Sequence, residues 1–571
     1  MATPLPTGHD ESAVAQAADF AVAYHQRGML AEAERLYAGI LKLRPGHFDA
    51  LHMLGVLRQQ QGDSAEAMRL IGDALDINPR SVDALCNFGA VLNVLKRHDE
   101  ALAAFDQALV IAPHHPAALN YRGTTLVQLN RFGDALAAFD RLLAVRPDHL
   151  DALCMRGSIL LSLQRFDEAL VDFDRALAVK NDCLDALVNR GIVLVQLGRA
   201  RDALAAFDQA IEINPDHVAA LGNRARVLAG LQRHDEALAD YTRAVAAAPH
   251  DAEMLYLRGN SLWALGKLEP AIESFEKAWA LDHLPALSML VLGRLAVADW
   301  VEADRLSGAL KARIAAGDFV YPYTSVVLGL DPPAQLDAAR NYLRHRVGAA
   351  PMPFVHSAGC RSDKLRIAYL STAFRQHPVA AAIAELLKGH DRQRFEIVGV
   401  SLGPDDPSGV RARIVDALDQ FHDVASDTDR NIARLLNDLQ VHIAIDLNGR
   451  TDGSRPGVLA CRPAPIQVSY LGYAGTTGAE FIDYILADET ALPFNQQPFF
   501  SEKIVHLPDC YHANDATRHI ARPRPGATSD CPIGPSCFAA STTAPKSPRR
   551  CSTSGCGSWR RFRTACCGSP R

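Results

Sequence analysis

The chain has 571 residues, too many for one hydrophobic core, so about three domains are expected. Its 48% hydrophobic and 22% charged content is that of a globular protein, not a disordered or fibrous one. A net charge of -6 argues against a nucleic-acid binder, no apolar run is long enough to cross a bilayer, and the polar, proline-containing stretch Met1 to Glu11 does not read as a secretion signal.

From Ala50 to Gly259 the chain repeats every 34 residues. One column is small: Gly55, Gly89, Gly123, Gly157, Gly191 and Gly259, with Ala225 in place of glycine once. A second runs Ala33, Ala67, Ala101 and onward to Ala271, each followed four residues later by a bulky residue from Tyr37 to Phe275. A third is proline, from Pro45 to Pro249, with Asn181 as its exception. Alanine and aromatic at i and i+4 share one helical face. The small column lets two helices approach, and proline stops the second helix. A 34-residue helix–turn–helix of this pattern resembles the tetratricopeptide repeat (TPR). Eight units fit residues 15–282, the first degenerate as a capping repeat. They imply an α-solenoid, a right-handed superhelix with a concave, peptide-binding groove. The position two before the small column faces that groove and holds Asn87, Asn189 and Asn223, but Met53, Tyr121, Met155 and Leu257 in other units. An asparagine offers both donor and acceptor to a peptide backbone, although the same residues also suit ordinary solvated positions.

Residues 283–350 keep helical character but lose the 34-residue register, and read as a transition segment. Within it Trp300 to Ala315 and Ala334 to Arg346 are helices, the second preceded by Pro332-Pro333. After Ser362, apolar strands alternate with helices. Strands are expected at Leu365–Ser371, Phe395–Leu402, Val441–Leu447, Pro465–Leu471, Phe481–Leu486 and Lys503–Leu507. Helices are expected at Pro378–Lys388, Val410–Gln420 and Asp429–Leu439. The alternation predicts a parallel Rossmann-like sheet, with ligands at the carboxyl ends of its strands.

His377 follows the first strand and precedes a proline-led helix, a place suited to a base, to phosphate binding, or to an ordinary surface histidine. Asn448 to Gly453 and Gly472 to Gly478 are glycine-rich and follow strands. Glycine lets backbone amides approach a ligand, and equally makes tight turns. No cluster of histidine, cysteine and carboxylate resembles a metal site. Of twelve cysteines, six crowd between Cys531 and Cys567, without zinc-ligand spacing.

Repeats followed by this segment resemble the TPR-containing protein O-GlcNAc transferases and their SPINDLY-type relatives. The matching stretches are Lys364 to Ser371, Phe374-Arg-Gln-His-Pro378, Asp446-Leu-Asn-Gly449, Arg462 to Gln467, Leu471 to Gly478, Phe481 to Asp488, Phe500 to Lys503 and Leu507 to Asp509. The resemblance implies a GT-B enzyme that moves GlcNAc from UDP-GlcNAc to protein Ser or Thr, with inversion and without a metal or other cofactor. GDP-fucose is a second donor the residues leave open. Proteins or peptides recruited by the groove are the implied partners, with no nucleic acid or membrane, in the cytoplasm. By the same resemblance His377 lines the active site as a candidate catalytic residue. Gly472, Tyr473, Gly475 and Thr476 belong to a loop near the acceptor. Ala373 stands where the family usually has Asp, and Ala474 where it usually has Pro, so both loops are expected to be looser. The alternative reading is a TPR scaffold without catalysis.

Residues 362–520 correspond to the first GT-B lobe, and the second, donor-binding lobe has no counterpart in the written sequence. Residues 521–571 are rich in Arg, Pro, Ser, Cys and Gly and show no helical or strand period, which reads as a disordered tail. A shifted reading frame, with wobble bases chosen to suit, turns Arg550 to Ser569 into an amphipathic helix, a Pro-Asp turn and an apolar strand. The tail is therefore read as frameshifted, and the 571-residue chain as an inactive, truncated transferase.

Overall fold

The computed structural model describes residues 11–348, 351–356 and 364–513, apart from 407, 426 and 452. The reading of the tail lies outside the described residues. The chain divides into two compact units, Met1–Leu231 and Gln232–Arg571.

The first unit is a run of helix pairs, such as Val82–Val94 with His98–Ile111 and Leu150–Ser162 with Phe166–Val179. The small column has the expected cause. A Cβ on Gly89 would lie 2.5 Å from the Phe105 ring, and one on Gly191 would lie 2.4 Å from Phe207. Phe105, Phe139, Phe173 and Phe207 are all fully buried. The second helix of each pair ends at a residue held extended before the proline, as at Arg44, Ala112 and Arg146. Lys180, before Asn181, takes the same extended backbone without a proline.

Two further columns are present. The first helix is capped by a side chain that accepts the amide three residues on: His47, Ser81, His115, His149 and His217. The turn between the helices needs a left-handed residue, filled by Gly62 and Gly198 but also by Lys96, Asn130 and Gln164. Arginines also join helices sixteen residues apart, as in Arg122–Asp106 at 2.7 Å and Arg190–Asp174 at 2.6 Å. Arg156 binds two carboxylates, Asp140 at 2.5 Å and the buried Asp172 at 2.6 Å.

The second unit begins with more helices and ends in a sheet. Leu284–Ala296 and Trp300–Ala315 form a further pair around Leu287, Leu290, Leu306 and Leu310. The expected loss of register is thus only partial. Gly293 lies 34 residues after Gly259, and a Cβ there would meet Ile272 at 2.7 Å. The left-handed turn residue, Ala298, comes 32 residues after Gly266 instead of 34. A short helix, Pro322–Val327, and the connector helix Pro332–Val347 follow.

Seven parallel strands make the sheet: β1 Leu365–Ser371, β2 Phe395–Ser401, β3 Gln420–Asp423, β4 Ile443–Asp446, β5 Ile466–Tyr470, β6 Tyr484–Ala487 and β7 Lys503–His506. Their order is β3-β2-β1-β4-β5-β6-β7. β1 shows why its residues are apolar throughout: Ile367 and Tyr369 pack with Ile383 and Leu387 on one face, Ala368 and Leu370 with Ile432 and Leu436 on the other. The helix expected over Val410–Gln420 is in fact Gly409–Asp416, and Gln420–Asp423 is the edge strand β3. Asp419 makes the change of direction. Its amide donates to the Ile397 carbonyl at 2.9 Å and its carboxylate accepts the Ile397 amide at 2.7 Å.

Candidate functional site

Strand order reverses between β1 and β4, so the loops after β1, β4 and β5 meet at one crest at the carboxyl end of the sheet. Asn448 joins the first two loops. Its Oδ1 accepts the Thr372 amide at 2.9 Å, and its Nδ2 donates to the Thr372 hydroxyl. Asp446, at the end of β4, accepts the amides of Asn448 at 2.9 Å and Gly449 at 3.2 Å. Burial pushes its carboxyl above the usual range despite those bonds.

The third loop enters this crest by close approach. A Cβ on Gly472 would fall 1.8 Å from the Leu447 carbonyl, and one on Gly449, at φ +58, would fall 2.4 Å from Tyr473 Cβ. Thr477 is gripped from both sides. Arg450 Nε donates to its carbonyl at 2.9 Å, and its amide donates to Glu502 Oε1 at 2.6 Å. Glu502 is fully buried and also accepts the hydroxyls of Thr476, at 2.7 Å, and Thr477. Arg450 lies against the Tyr342 ring of the connector helix, and burial pulls its guanidinium below the ordinary value. Among the described residues its Nη2 finds no hydrogen-bond partner. The short helix Pro322–Val327 and the connector close the far side: Cβ atoms on Gly475 and Gly478 would meet Val326 at 3.0 Å and the Ala339 backbone at 2.8 Å.

His377 is the N-cap of the helix Pro378–Lys388, and Pro378 takes the first turn. Its Nδ1 accepts the Val379 amide at 3.2 Å. While that bond stands, the neutral ring carries its proton on Nε2 and offers a donor there, not a base. Burial first, and the Arg375 charge second, hold the imidazole below its usual value, which favours that neutral form. Chemically, this is a group that hydrogen-bonds to an anionic or hydroxyl oxygen.

Of the loop residues named from sequence, Gly472 and Gly475 make the close approaches. Tyr473 and Thr476 are buried and turn inward, Tyr473 against Gly449 and Thr476 onto Glu502. Ala474 is the exposed residue between Tyr473 and Ala479. Ala373 is buried, with its amide on Ser371 Oγ at 2.9 Å. In the repeat unit, Asn87 hydrogen-bonds His52 at 2.9 Å and Asn223 donates to the Ala219 carbonyl at 2.8 Å. Asn189 is half-buried on the equivalent helix. Sequence reasoning assigned no role to Arg450, Thr477 or Glu502. The signal available was only the place of Thr477 and Glu502 inside the matching stretches and of Arg450 within the glycine-rich run Asn448 to Gly453.

Helical repeats joined to a parallel sheet with a loop crest at its switch point define a repeat protein carrying a Rossmann-like domain. Residues 343–523 match the family described as glycosyl transferase family 41. Tetratricopeptide repeat families match residues 24–86, 81–148, 122–182, 188–252 and 230–283. The chain therefore combines segments that match tetratricopeptide repeats with a segment that matches glycosyl transferase family 41. It is 37% identical over 208 residues to the probable UDP-N-acetylglucosamine–peptide N-acetylglucosaminyltransferase SEC of Arabidopsis thaliana, covering 34% of this chain and 21% of that protein. It is 30% identical over 206 residues to the corresponding Caenorhabditis elegans transferase, covering 34% and 18%. A solved O-GlcNAc transferase mutant of Thermobaculum terrenum aligns over 58% of each chain at 25% identity, with a TM-score of 0.43. The chain spans about a fifth of the length of the curated relatives it matches. Among the described residues no helix is long and apolar enough to cross a membrane, and no group of three or more metal-ligating side chains is found.

Proposed function

We propose that the chain is a TPR-guided protein glycosyltransferase component that takes GlcNAc from UDP-GlcNAc to Ser or Thr of proteins held by the repeats, in the cytoplasm. The observation that carries this reading is the family 41 match over residues 343–523, which contains all three crest loops. His377, with its Nε2–H, supplies a donor for a phosphate or sugar oxygen. The loop Gly472 to Thr476, fixed through Thr477, supplies a rigid wall for the acceptor. Asn87, Asn189 and Asn223 contact the peptide backbone, the first and last after giving up their present bonds.

The test is incubation of the purified chain with Ser/Thr peptides and either sugar-labelled UDP-GlcNAc or sugar-labelled GDP-fucose. Label on Ser or Thr in the first arm supports the reading, and label in the second alone changes the donor. Peptide binding without label in either arm favours the scaffold reading instead.

A further inference from the structure

The loop from Ser371 to His377 makes few bonds of its own: the Ala373 amide to Ser371 Oγ at 2.9 Å and the Arg375 amide to the Ala373 carbonyl at 2.7 Å. Two residues that follow β2 bind it from outside. Arg411, on the helix Gly409–Asp416, is 8% exposed and donates through Nη1 to the Phe374 carbonyl at 3.0 Å. Its guanidinium is itself fixed by Ser401 Oγ at 3.2 Å, Asp423 at 2.5 Å and Asp405 at 3.0 Å. It lies over the Phe421 ring, which in turn meets Phe374. Asp406 accepts the Gln376 amide on one oxygen at 2.5 Å and the Ser408 amide on the other at 3.0 Å.

The two groups held this way belong to successive peptide bonds, one on either side of Arg375. The next residue, His377, precedes proline, so its backbone is limited to extended values and stands at φ -149 and ψ 147. With that freedom removed, the direction of the imidazole is set by how the chain arrives from Arg375.

We propose that Asp406 and Arg411 are positioning residues for His377, keeping Nδ1 on the Val379 amide and the ring proton on Nε2. The relevance to sugar transfer rests on the function proposed above; the geometry does not. Asp406 also has the charge state the role needs, since the Gln376 amide and the Ser408 contacts hold its carboxyl below the usual range.

Diethylpyrocarbonate tests this in the full chain, because it acylates the unprotonated ring nitrogen, which in the capping pose is the engaged Nδ1. Acylation is followed at His377 by peptide mass mapping. Asp406→Ala is expected to raise the His377 rate about fivefold, the population factor for losing one helix cap. Asp406→Asn keeps a carbonyl acceptor and should fall between the two. The rates at His390 and His422 stay unchanged, and the melting temperature falls by no more than the loss of one helix cap accounts for. Arg411→Lys keeps the charge but loses the fork, and should behave as Asp406→Ala wherever it folds. A His377 rate in Asp406→Ala equal to that of the parent, or a rise matched at His390 and His422, overturns the proposal. The readout is chemical modification and not sugar transfer, so this proposal and the proposed function fail separately.

Discussion

In the repeat helices, close packing is written once and copied. At the sheet crest it is assembled once from residues far apart. Gly89 meets Phe105 and Gly123 meets Phe139 by one rule, sixteen residues apart each time. The crest instead joins Thr372 to Asn448, 76 residues away, and Thr477 to Glu502, 25 residues away. A copied contact is supported by its neighbours along the solenoid, and its loss is felt locally. A contact made once has no copy, so its loss is felt by the whole crest.

The largest expected effect breaks the copied pattern at the buried carboxylate Asp172. Arg156→Met leaves the Asp172 carboxylate buried without its main partner and should cost the repeat unit about 3 kcal/mol. Denaturant unfolding followed in that unit measures it. Arg156→Met with Asp172→Leu should recover most of the loss, and failure to recover would mean that shape, not charge, fixes the site. Next is Gly472→Ala, whose Cβ would strike the Leu447 carbonyl. It should cost the sheet unit about 2 kcal/mol by overpacking while the repeat transition stays in place. A shift in both transitions would erase the contrast between the regions.

Gln164→Gly works in the opposite direction. Gln164 sits at φ +59, so glycine there should stabilise the repeat unit by about 1 kcal/mol in thermal unfolding. Acidification gives the smallest effect. Burial holds His377, His390 and His422 in the sheet unit below their ordinary value, and does so for His52 in the repeats. Their folded forms resist a proton that the unfolded chain accepts, so the stability they contribute is complete above about pH 6.5 and lost as pH falls through it. Between pH 7 and 5 the histidine contribution should therefore fall more in the sheet unit than in the repeats, with the raised Asp446 carboxyl opposing it, and His377→Gln should reduce that fall.

The same contrast explains what could be read in advance. The small, alanine, bulky and proline columns were legible because each residue type recurs in several copies and acts on a neighbour within the repeat. The left-handed turn column was not, because Lys96, Asn130 and Gln164 occupy it where glycine would have marked it. The Arg156–Asp172 ion pair was not legible, since nothing in the sequence singles out either residue or marks which charges lie close in space. Strands β1 and β2 were legible from apolar runs buried on both faces, but β3, Gln-Phe-His-Asp, is a short edge and reads as an extension of the preceding helix. The place of His377 followed from the strand before it and Pro378 after it. Its capping bond did not, because that depends on Asp406 and Arg411 reaching back from beyond β2. Glu502, within Phe500-Ser-Glu-Lys503, reads as exposed and is fully buried.

The sheet order has a consequence for synthesis. β1 lies inside the sheet, yet it is made first and pairs on one edge with β2 and on the other with β4. Repeat helices can fold from local contacts as they emerge, whereas β1 must wait with its second edge open until Ile443–Asp446 has been translated. At ordinary translation rates that interval is about 4–15 s. An apolar strand with one edge open for that long is a substrate for chaperones that bind nascent chains, and slowing translation between the first and fourth strands should make the chain depend on them more.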